Sequence, residues 1–301
     1  MRRILTAAVL IPLVVALVLW GPFYLMISVQ MLISLVGVWE FYRLAEAAHF
    51  QVIRIPGYLC TVALSLFLSW AALSPFASVV RMLRDGTHIT GGDFVAAFSL
   101  VALAATAIST LFLIVIMVEA MRSSRKLSDY LGIVAASFLG PMYVGLPLAL
   151  LVWVWRQSDG PFHVLFTLVV IWAGDTAGFF IGSRYGKHKS SPRISPNKTW
   201  EGTTASFAAA LLVGLVTGLY FSGAESIYFS GEDSIAELLV LAALLNIAGQ
   251  LGDLAESALK RSAGVKDSSQ LIPGHGGVLD RIDALLFAAP VLWYYWLWKA
   301  L

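Results

Sequence analysis

Acidic residues near the C-terminus have a spacing that predicts a cation site. Four polar residues recur at helical spacing, so one face of a helix carries all of them. They are Asp253, Glu256, Ser257 and Lys260. A glycine-rich turn follows, and then Asp280 and Asp283 stand three residues apart. Clustered carboxylates repel one another unless cations lie between them. Oxygen ligands without Cys or clustered His select a hard ion such as Mg²⁺.

Carboxylates in the first turn of a helix also suit its dipole. This structural alternative explains Asp280 or Asp283 singly. It does not explain Asp253, which belongs to the preceding apolar stretch near the same membrane boundary.

Basic residues accompany these acids, namely Lys260, Arg261, Lys266 and Arg281. Carboxylate-held Mg²⁺ beside Lys and Arg is the arrangement that a nucleoside triphosphate needs. Gly276 and Gly277 would let backbone N–H groups approach a phosphate. For His275 the sequence leaves three roles open: a cation ligand, a hydrogen-bond donor to a phosphate, or a group that holds the loop by hydrogen bonding. The GxxxxGK[ST] motif of P-loop proteins is absent from the sequence.

A second polar cluster lies between residues 172 and 202. Asp175 falls inside an apolar stretch, where a carboxylate indicates function unless it only hydrogen-bonds other helices. We expect it deeper in the membrane than the cation site, in contact with substrate or ordered water. The glycines 174, 178 and 182 recur every four residues, which predicts close helix packing.

The segment SPNKTWEG follows and offers hydrogen-bond donors and a cation to a phosphate. Its candidate substrate-binding residues are Ser195, Lys198, Thr199 and Glu201. As an alternative, Ser195 or Thr199 caps the next helix.

The composition predicts an all-α polytopic integral membrane protein. Of the 301 residues, 59% are apolar and 13% are charged, against ~45–50% and ~25% in soluble domains. These values exclude a disordered chain and an ordinary cytosolic enzyme. Cys60 is the single cysteine, so the chain forms no internal disulfide. The charges occupy short loops, and we therefore expect no nucleic-acid partner.

Nine stretches have about the 20 apolar residues that a membrane-spanning helix needs. They are 4–20, 23–42, 57–79, 94–120, 131–155, 162–183, 203–222, 236–252 and 284–301. The eighth is the weakest, because Asn246, Gln250 and Asp253 interrupt it. With a cytoplasmic N-terminus, 16 of the 20 Lys and Arg residues fall on the cytoplasmic side. This asymmetry is what the positive-inside rule predicts.

We interpret residues 1–301 as a single transmembrane domain. Residues 1–160 are mainly scaffold, and residues 161–301 hold the catalytic spans and cytoplasmic loops. Glu40 and Glu119 interrupt the scaffold spans near their cytoplasmic ends, where we expect each carboxylate to reach water.

The residues from Ser257 to Asp283 resemble the phosphatidate cytidylyltransferase signature, that of the CDP-diacylglycerol synthases. The similarity runs over 27 residues without a gap and includes SxLKR, KDxS and IPxHGGVxDRID. The GDTAG and SPNKTWEG segments are also similar to the family's, although Asn197 stands where many relatives carry a basic residue. The resemblance is strong over the C-terminal 130 residues and rests on topology alone in the first half.

This resemblance implies that CTP and phosphatidic acid give CDP-diacylglycerol and pyrophosphate with Mg²⁺. It assigns metal binding to Asp253, Asp280 and Asp283, with Glu256 and Ser257 as secondary contacts. It also implies a homodimer and a second cation such as K⁺, with the active site facing the cytoplasm. From the compact length of the chain we expect a bacterial plasma membrane.

Two other functions stay open. One is a CTP-dependent transferase that acts on an isoprenoid lipid. The other is a cation-coupled transporter that uses Asp175 and Asp253. The polar residues of a transporter are expected at the membrane midplane, whereas those of this sequence cluster at one membrane face.

Overall fold

The computed structural model describes residues 2–73, 91–122, 126–221, 233–272 and 276–300. Within these residues the chain forms ten α-helices and one short β-hairpin. The helices are α1 (Arg2–Trp20), α2 (Phe23–Ala47), α3 (Arg54–Ala71), α4 (Gly91–Arg122), α5 (Tyr130–Gly140), α6 (Leu146–Trp155), α7 (Gly160–Tyr185), α8 (Trp200–Phe221), α9 (Ile235–Ser262) and α10 (Leu279–Ala300). A 3₁₀ turn (Leu127–Asp129) precedes α5, and a π-helical turn (Pro141–Gly145) joins α5 to α6. The hairpin pairs β1 (Lys189–Ser191) with β2 (Ser195–Thr199).

Seven helical segments of the described residues are long and apolar enough to cross a membrane. They are α2, α3, residues Val101–Arg122 of α4, the continuous segment Leu127–Trp155, α7, α8 and α9. The prediction of an all-α polytopic membrane protein is thereby confirmed. The helices α1 and α10 coincide with the first and ninth predicted stretches but are not among the seven, so the count of nine stays a prediction.

Glycines bring α7 and α8 into direct backbone contact. A Cβ atom on Gly178 would lie 3.3 Å from the carbonyl oxygen of Gly202, and one on Gly182 would lie 3.3 Å from the Gly202 Cα. At Gly174 an added Cβ would meet the Ser206 hydroxyl at 2.8 Å. Helices in a membrane associate through such close packing, since lipid tails are as apolar as the side chains. The predicted packing role of these glycines is confirmed.

Polar side chains join α8 to α9 across this packed interface. The Asn246 amide donates to the Ser206 hydroxyl at 2.9 Å, and the Gln250 amide donates to the Asn246 oxygen at 2.6 Å. These are residues that weaken the apolar character of the eighth stretch. The helix α9 continues past the predicted end at residue 252 as far as Ser262.

A buried ionic cluster joins the starts of α7 and α9 to the end of α10. Asp233, which is 1% exposed, precedes α9 and lies 3.0 Å from the His163 ring of α7. It also accepts a hydrogen bond from Tyr295 at 2.7 Å and pairs with Lys299, both on α10. Burial alone would raise the pKa of Asp233. The hydrogen bonds with its three partners and the nearby His163 charge outweigh burial, and they hold this pKa well below its usual range.

Candidate active site

The two polar clusters of the sequence meet at one end of the helix bundle, which we call the site end. The Lys198 ammonium lies 2.7 Å from a carboxylate oxygen of Asp253, which joins the hairpin to α9. The Arg261 guanidinium donates to the carbonyl oxygen of Ile194 at 3.3 Å. The ends of α7 and α9 and the starts of α8 and α10 therefore surround one region.

A cavity of about 670 Å³ opens in this region. The predicted site residues that line it are Asp175, Ser195, Lys198, Thr199 and Asp253. Lys189, Asn197 and Gln250 add further polar groups to its wall. Asp175 thus shares one cavity with Asp253. Its greater depth in the membrane stays a prediction. The cavity combines two carboxylates with two ammonium groups and several neutral donors.

The hairpin presents its residues to the cavity through contacts made by Thr199 and Glu201. The Thr199 hydroxyl accepts the backbone N–H of Gly202 at 3.2 Å, so Thr199 caps α8 as the structural alternative predicted. A Glu201 carboxylate oxygen lies 2.7 Å from the ring nitrogen of His188, and the carboxylate also accepts the His188 N–H. Glu201 is not among the residues that line the cavity. Its contacts with His188 close the base of the hairpin.

Lys260 sits between two carboxylates from different helices. It pairs with the completely buried Glu256 on α9, one turn earlier. Its ammonium also lies 2.6 Å from Asp280 on α10. On the same face of α9, the Ser257 hydroxyl donates to Asp253 at 3.4 Å. The predicted spacing along α9 therefore does place these residues together.

Asp280 organises the loop that precedes α10. One of its oxygens accepts the Ser268 N–H at 2.9 Å, the Ser268 hydroxyl at 2.8 Å and the Gly277 N–H at 2.8 Å. The other oxygen faces Lys260. Gly276 has φ +79°, and a Cβ there would lie 2.7 Å from the Asp280 carboxylate, so the turn requires glycine. Phosphate binding by Gly276 and Gly277 stays a prediction, and the Gly277 N–H already serves Asp280.

Asp283 lies about one turn into α10, where α10 packs closely against α9. The main-chain oxygen of Asp283 would lie 2.4 Å from a Cβ placed on Gly252. Its side-chain carboxylate accepts the Ala284 N–H at 2.8 Å and interacts electrostatically with Asp253 and Asp175. Like charges in this arrangement favour a bound cation.

The carboxylates of Asp253, Asp280 and Asp283 are the type of ligand that Mg²⁺ prefers, but they do not by themselves surround an ion. Across the described ranges, no three His, Cys, Asp or Glu side chains are grouped closely enough to hold a metal ion together. Mg²⁺ commonly binds one or two carboxylates and takes its remaining ligands from water and phosphate. Asp253 and Asp283 fit that pattern better than Asp280, whose oxygens are already engaged by protein donors.

The other predicted basic residues lie at the surface of the site end. Lys266 and Arg281 are exposed. Arg261 is exposed as well, and it donates to backbone oxygens of Ile194 and Val265. His275 lies outside the described residues.

Glu40 on α2 contacts the loop before α10 and the start of α10, and the prediction that it reaches water is wrong. It is 0% exposed instead of reaching water. Its carboxylate accepts hydrogen bonds from two serine hydroxyls and two backbone N–H groups of the loop before α10, namely Ser268, Ser269, Val278 and Leu279. The expectation failed because α2 continues two turns beyond Glu40 to Ala47 and because the loop covers it. These partners lie 228–239 residues away, so no local pattern could have indicated them. The side chain of Glu119 is 49% exposed, and its contact with water stays a prediction.

A polytopic helical protein with acids, cations and a polar cavity at one end of its bundle has the features of a membrane enzyme that handles phosphates. Residues 1–298 match the cytidylyltransferase family, and the chain belongs to that family. It is 33% identical over 301 residues to the phosphatidate cytidylyltransferase of Haemophilus influenzae, with 98% of each chain covered. It is 29% identical over 290 residues to that of Staphylococcus aureus strain COL, with 96% of each covered. A 136-residue segment is 41% identical to the Staphylococcus saprophyticus enzyme and covers 45% of this chain and 49% of that relative.

Proposed function

We propose that this protein is a phosphatidate cytidylyltransferase, which makes CDP-diacylglycerol and pyrophosphate from CTP and phosphatidic acid. The observation that carries the proposal is the match to the Haemophilus influenzae enzyme along 98% of both chains. The convergence of acidic and basic residues on one polar cavity supports it independently. An isoprenoid acceptor or a transported cation would leave the full-length match unexplained.

The reaction is a displacement at the α-phosphorus of CTP. A phosphate oxygen of the lipid forms the new P–O bond, and the bond to the β-phosphate breaks, so pyrophosphate leaves with the electron pair. A phosphomonoester with a second pKa near ~6 is largely dianionic at pH 7. No strong general base is needed, and His275 would therefore contact phosphate or hold the loop.

The main barrier is the repulsion between two anions and the charge that develops on the leaving pyrophosphate. We assign Lys198, Lys189 and Ser195 to the phosphates, because their side chains line the cavity. Asp253 and Asp283 would hold Mg²⁺, with Asp280, Glu256 and Ser257 in support. When bound, Mg²⁺ neutralises charge on the reacting phosphates. Positioning of the two substrates supplies much of the remaining rate acceleration.

The membrane setting follows from the substrates. The acyl chains of phosphatidic acid stay in the bilayer while CTP arrives from water, so the site end would face the cytoplasm. We place the protein in a bacterial inner membrane on the strength of its bacterial relatives. A homodimer and a second cation such as K⁺ belong to the same proposal.

The decisive experiment supplies the purified protein in detergent–lipid micelles with radiolabelled CTP and phosphatidic acid, with and without Mg²⁺. We expect labelled CDP-diacylglycerol only when Mg²⁺ is present. Parallel reactions with an isoprenoid phosphate measure the alternative acceptor. Labelling of the isoprenoid alone, or of neither lipid by folded protein, would refute the proposal.

A further inference from the structure

Glu40 connects the N-terminal half of the chain to the loop that precedes α10. We propose that it is a positioning residue, which holds Ser268 and Ser269 and the start of α10 at Val278 and Leu279 in the geometry that the reaction needs. This inference deepens the proposed function and rests on it. It concerns a residue far from the 27-residue segment of family resemblance and within the half interpreted as scaffold.

Both oxygens of the Glu40 carboxylate are fully used as acceptors. One accepts the Ser269 hydroxyl at 2.5 Å and the Val278 N–H at 3.0 Å. The other accepts the Ser268 hydroxyl at 3.1 Å and the Leu279 N–H at 2.6 Å. Only an ionised carboxylate offers two acceptor oxygens without a donor of its own. The two acceptor oxygens of Glu40 therefore match the four hydrogen-bond donors that surround them.

The two backbone donors belong to the start of α10. The first N–H groups of a helix have no partner within the helix, and a negative charge there also suits the helix dipole. Glu40 thus caps α10 from a different helix. Asp280 occupies that first turn and Asp283 follows about one helical turn later, so the direction in which α10 begins determines where both carboxylates lie.

Ser268 extends this contact to the acidic residues of the site. Its hydroxyl lies 3.1 Å from Glu40 and 2.8 Å from Asp280, and its single proton can bond only one of them at a time. Asp280 in turn faces Lys260. A Cβ on Gly277 would lie 2.5 Å from the Glu40 carboxylate, so the loop backbone rests directly against it. Loss of an acceptor at Glu40 would consequently displace Asp280 and the turn that follows.

Two substitutions distinguish an acceptor role from simple space filling. Glu40→Gln keeps the size of the side chain but replaces one acceptor oxygen with an NH₂ group, which would face donors. Glu40→Asp keeps both acceptor oxygens but shortens the side chain by one methylene. If Glu40 positions the loop, the Asp variant retains more activity than the Gln variant. If Glu40 only fills space, the order is reversed.

We expect Glu40→Gln to lower kcat by about 10- to 100-fold, the scale on which misplaced reacting groups slow enzymes, with a smaller change in KM for CTP. Glu40→Asp should restore part of kcat. Ser269→Ala removes one of the four donors and should lower kcat by roughly 2- to 10-fold. Glu46→Gln is the matched control on the same helix, because Glu46 is exposed and pairs with Arg54 on the surface. It should leave kcat unchanged.

A second measurement needs no turnover. A nitroxide label on Gln270→Cys reports loop motion, since residue 270 is exposed while Cys60 is buried. Glu40→Gln and Ser269→Ala should both increase label mobility, and Glu46→Gln should not. A Gln variant as active as the unsubstituted protein, an Asp variant less active than the Gln variant, or unchanged mobility in Ser269→Ala would overturn the inference. Absence of CDP-diacylglycerol from the unsubstituted protein would instead refute the proposed function, because the mobility result is independent of it.

Discussion

Aspartates of the same predicted metal set have very different surroundings. The side chain of Asp280 is 7% exposed and is held by Lys260 and by donors of the preceding loop. The side chain of Asp253 is 38% exposed, lines the cavity and pairs with Lys198. The first is integrated into the fold, whereas the second is available to a ligand. Their substitution should therefore have separable effects on activity and on stability.

We predict that Asp253→Asn and Asp280→Asn each lower CDP-diacylglycerol synthesis by ~100-fold or more, as expected when charge stabilisation is removed. Only Asp280→Asn should also destabilise the fold, by about 1–3 kcal/mol, because it leaves buried donors poorly matched. Thermal unfolding in detergent measures the second effect. Equal stability of the two variants would contradict this assignment, and near-normal activity of Asp253→Asn would exclude it from the metal site.

At the residue scale, the sequence was informative wherever the relevant neighbours are close along the chain. The helical spacing from Asp253 to Lys260 predicted one polar face, and the structure brings these side chains together. It was uninformative for Glu40 and Ser268, whose contact joins residues 228 positions apart. The local sequence around a carboxylate does not show whether its side chain is buried or reaches water.

At Gly252 the backbone of α9 packs directly against the backbone of α10. A Cβ on Gly252 would lie 2.4 Å from the main-chain oxygen of Asp283, a separation that no real structure tolerates. One turn earlier on the same helix, a Cβ on Gly249 would lie 3.5 Å from the Cβ of Ala284, which is an ordinary contact. The pair offers a matched test of helix spacing at the site.

We expect Gly252→Ala to lower activity by at least ~10-fold, since α10 must move away and carry Asp283 with it. Gly249→Ala should retain nearly full activity, and both proteins should insert into the membrane. Steady-state rates of the two variants measure the difference. Equal rates would show that the α9–α10 spacing does not set the geometry of the site.

Hydropathy predicted the presence of the helices better than their ends. The apolar run of α2 stops near residue 42, but the helix continues to Ala47, because helical hydrogen bonding does not require apolar side chains. The β-hairpin had no apolar pattern to indicate it. Its register pairs Lys189 with Thr199 and is held by the contacts of His188 with Glu201 and Trp200, which become visible only in three dimensions.

Across the whole molecule, the two ends of the helix bundle carry different polar clusters. The site end holds Lys198, Asp253 and the residues around Asp280. The start of α7 and the end of α10 meet instead at the buried Asp233 cluster. The Asp233 cluster lies at the starts of α7 and α9 and at the end of α10, whereas the site end lies at the other end of each of these helices. Since α7, α9 and α10 contribute to both clusters, the two ends should face opposite sides of the membrane.

This arrangement predicts the sidedness of three introduced cysteines. Arg193→Cys in the hairpin turn and Gln270→Cys in the loop before α10 should react with an impermeant thiol reagent only from the cytoplasmic side. Ser158→Cys, next to the start of α7, should react only from the opposite side. All three positions are exposed, and Cys60 is buried. Labelling of right-side-out and inside-out vesicles measures this directly. Reaction of residues 158 and 193 from the same side would mean that α7 does not cross the bilayer. A reversed pattern would place the candidate active site away from CTP and would contradict the proposed reaction at the cytoplasmic face.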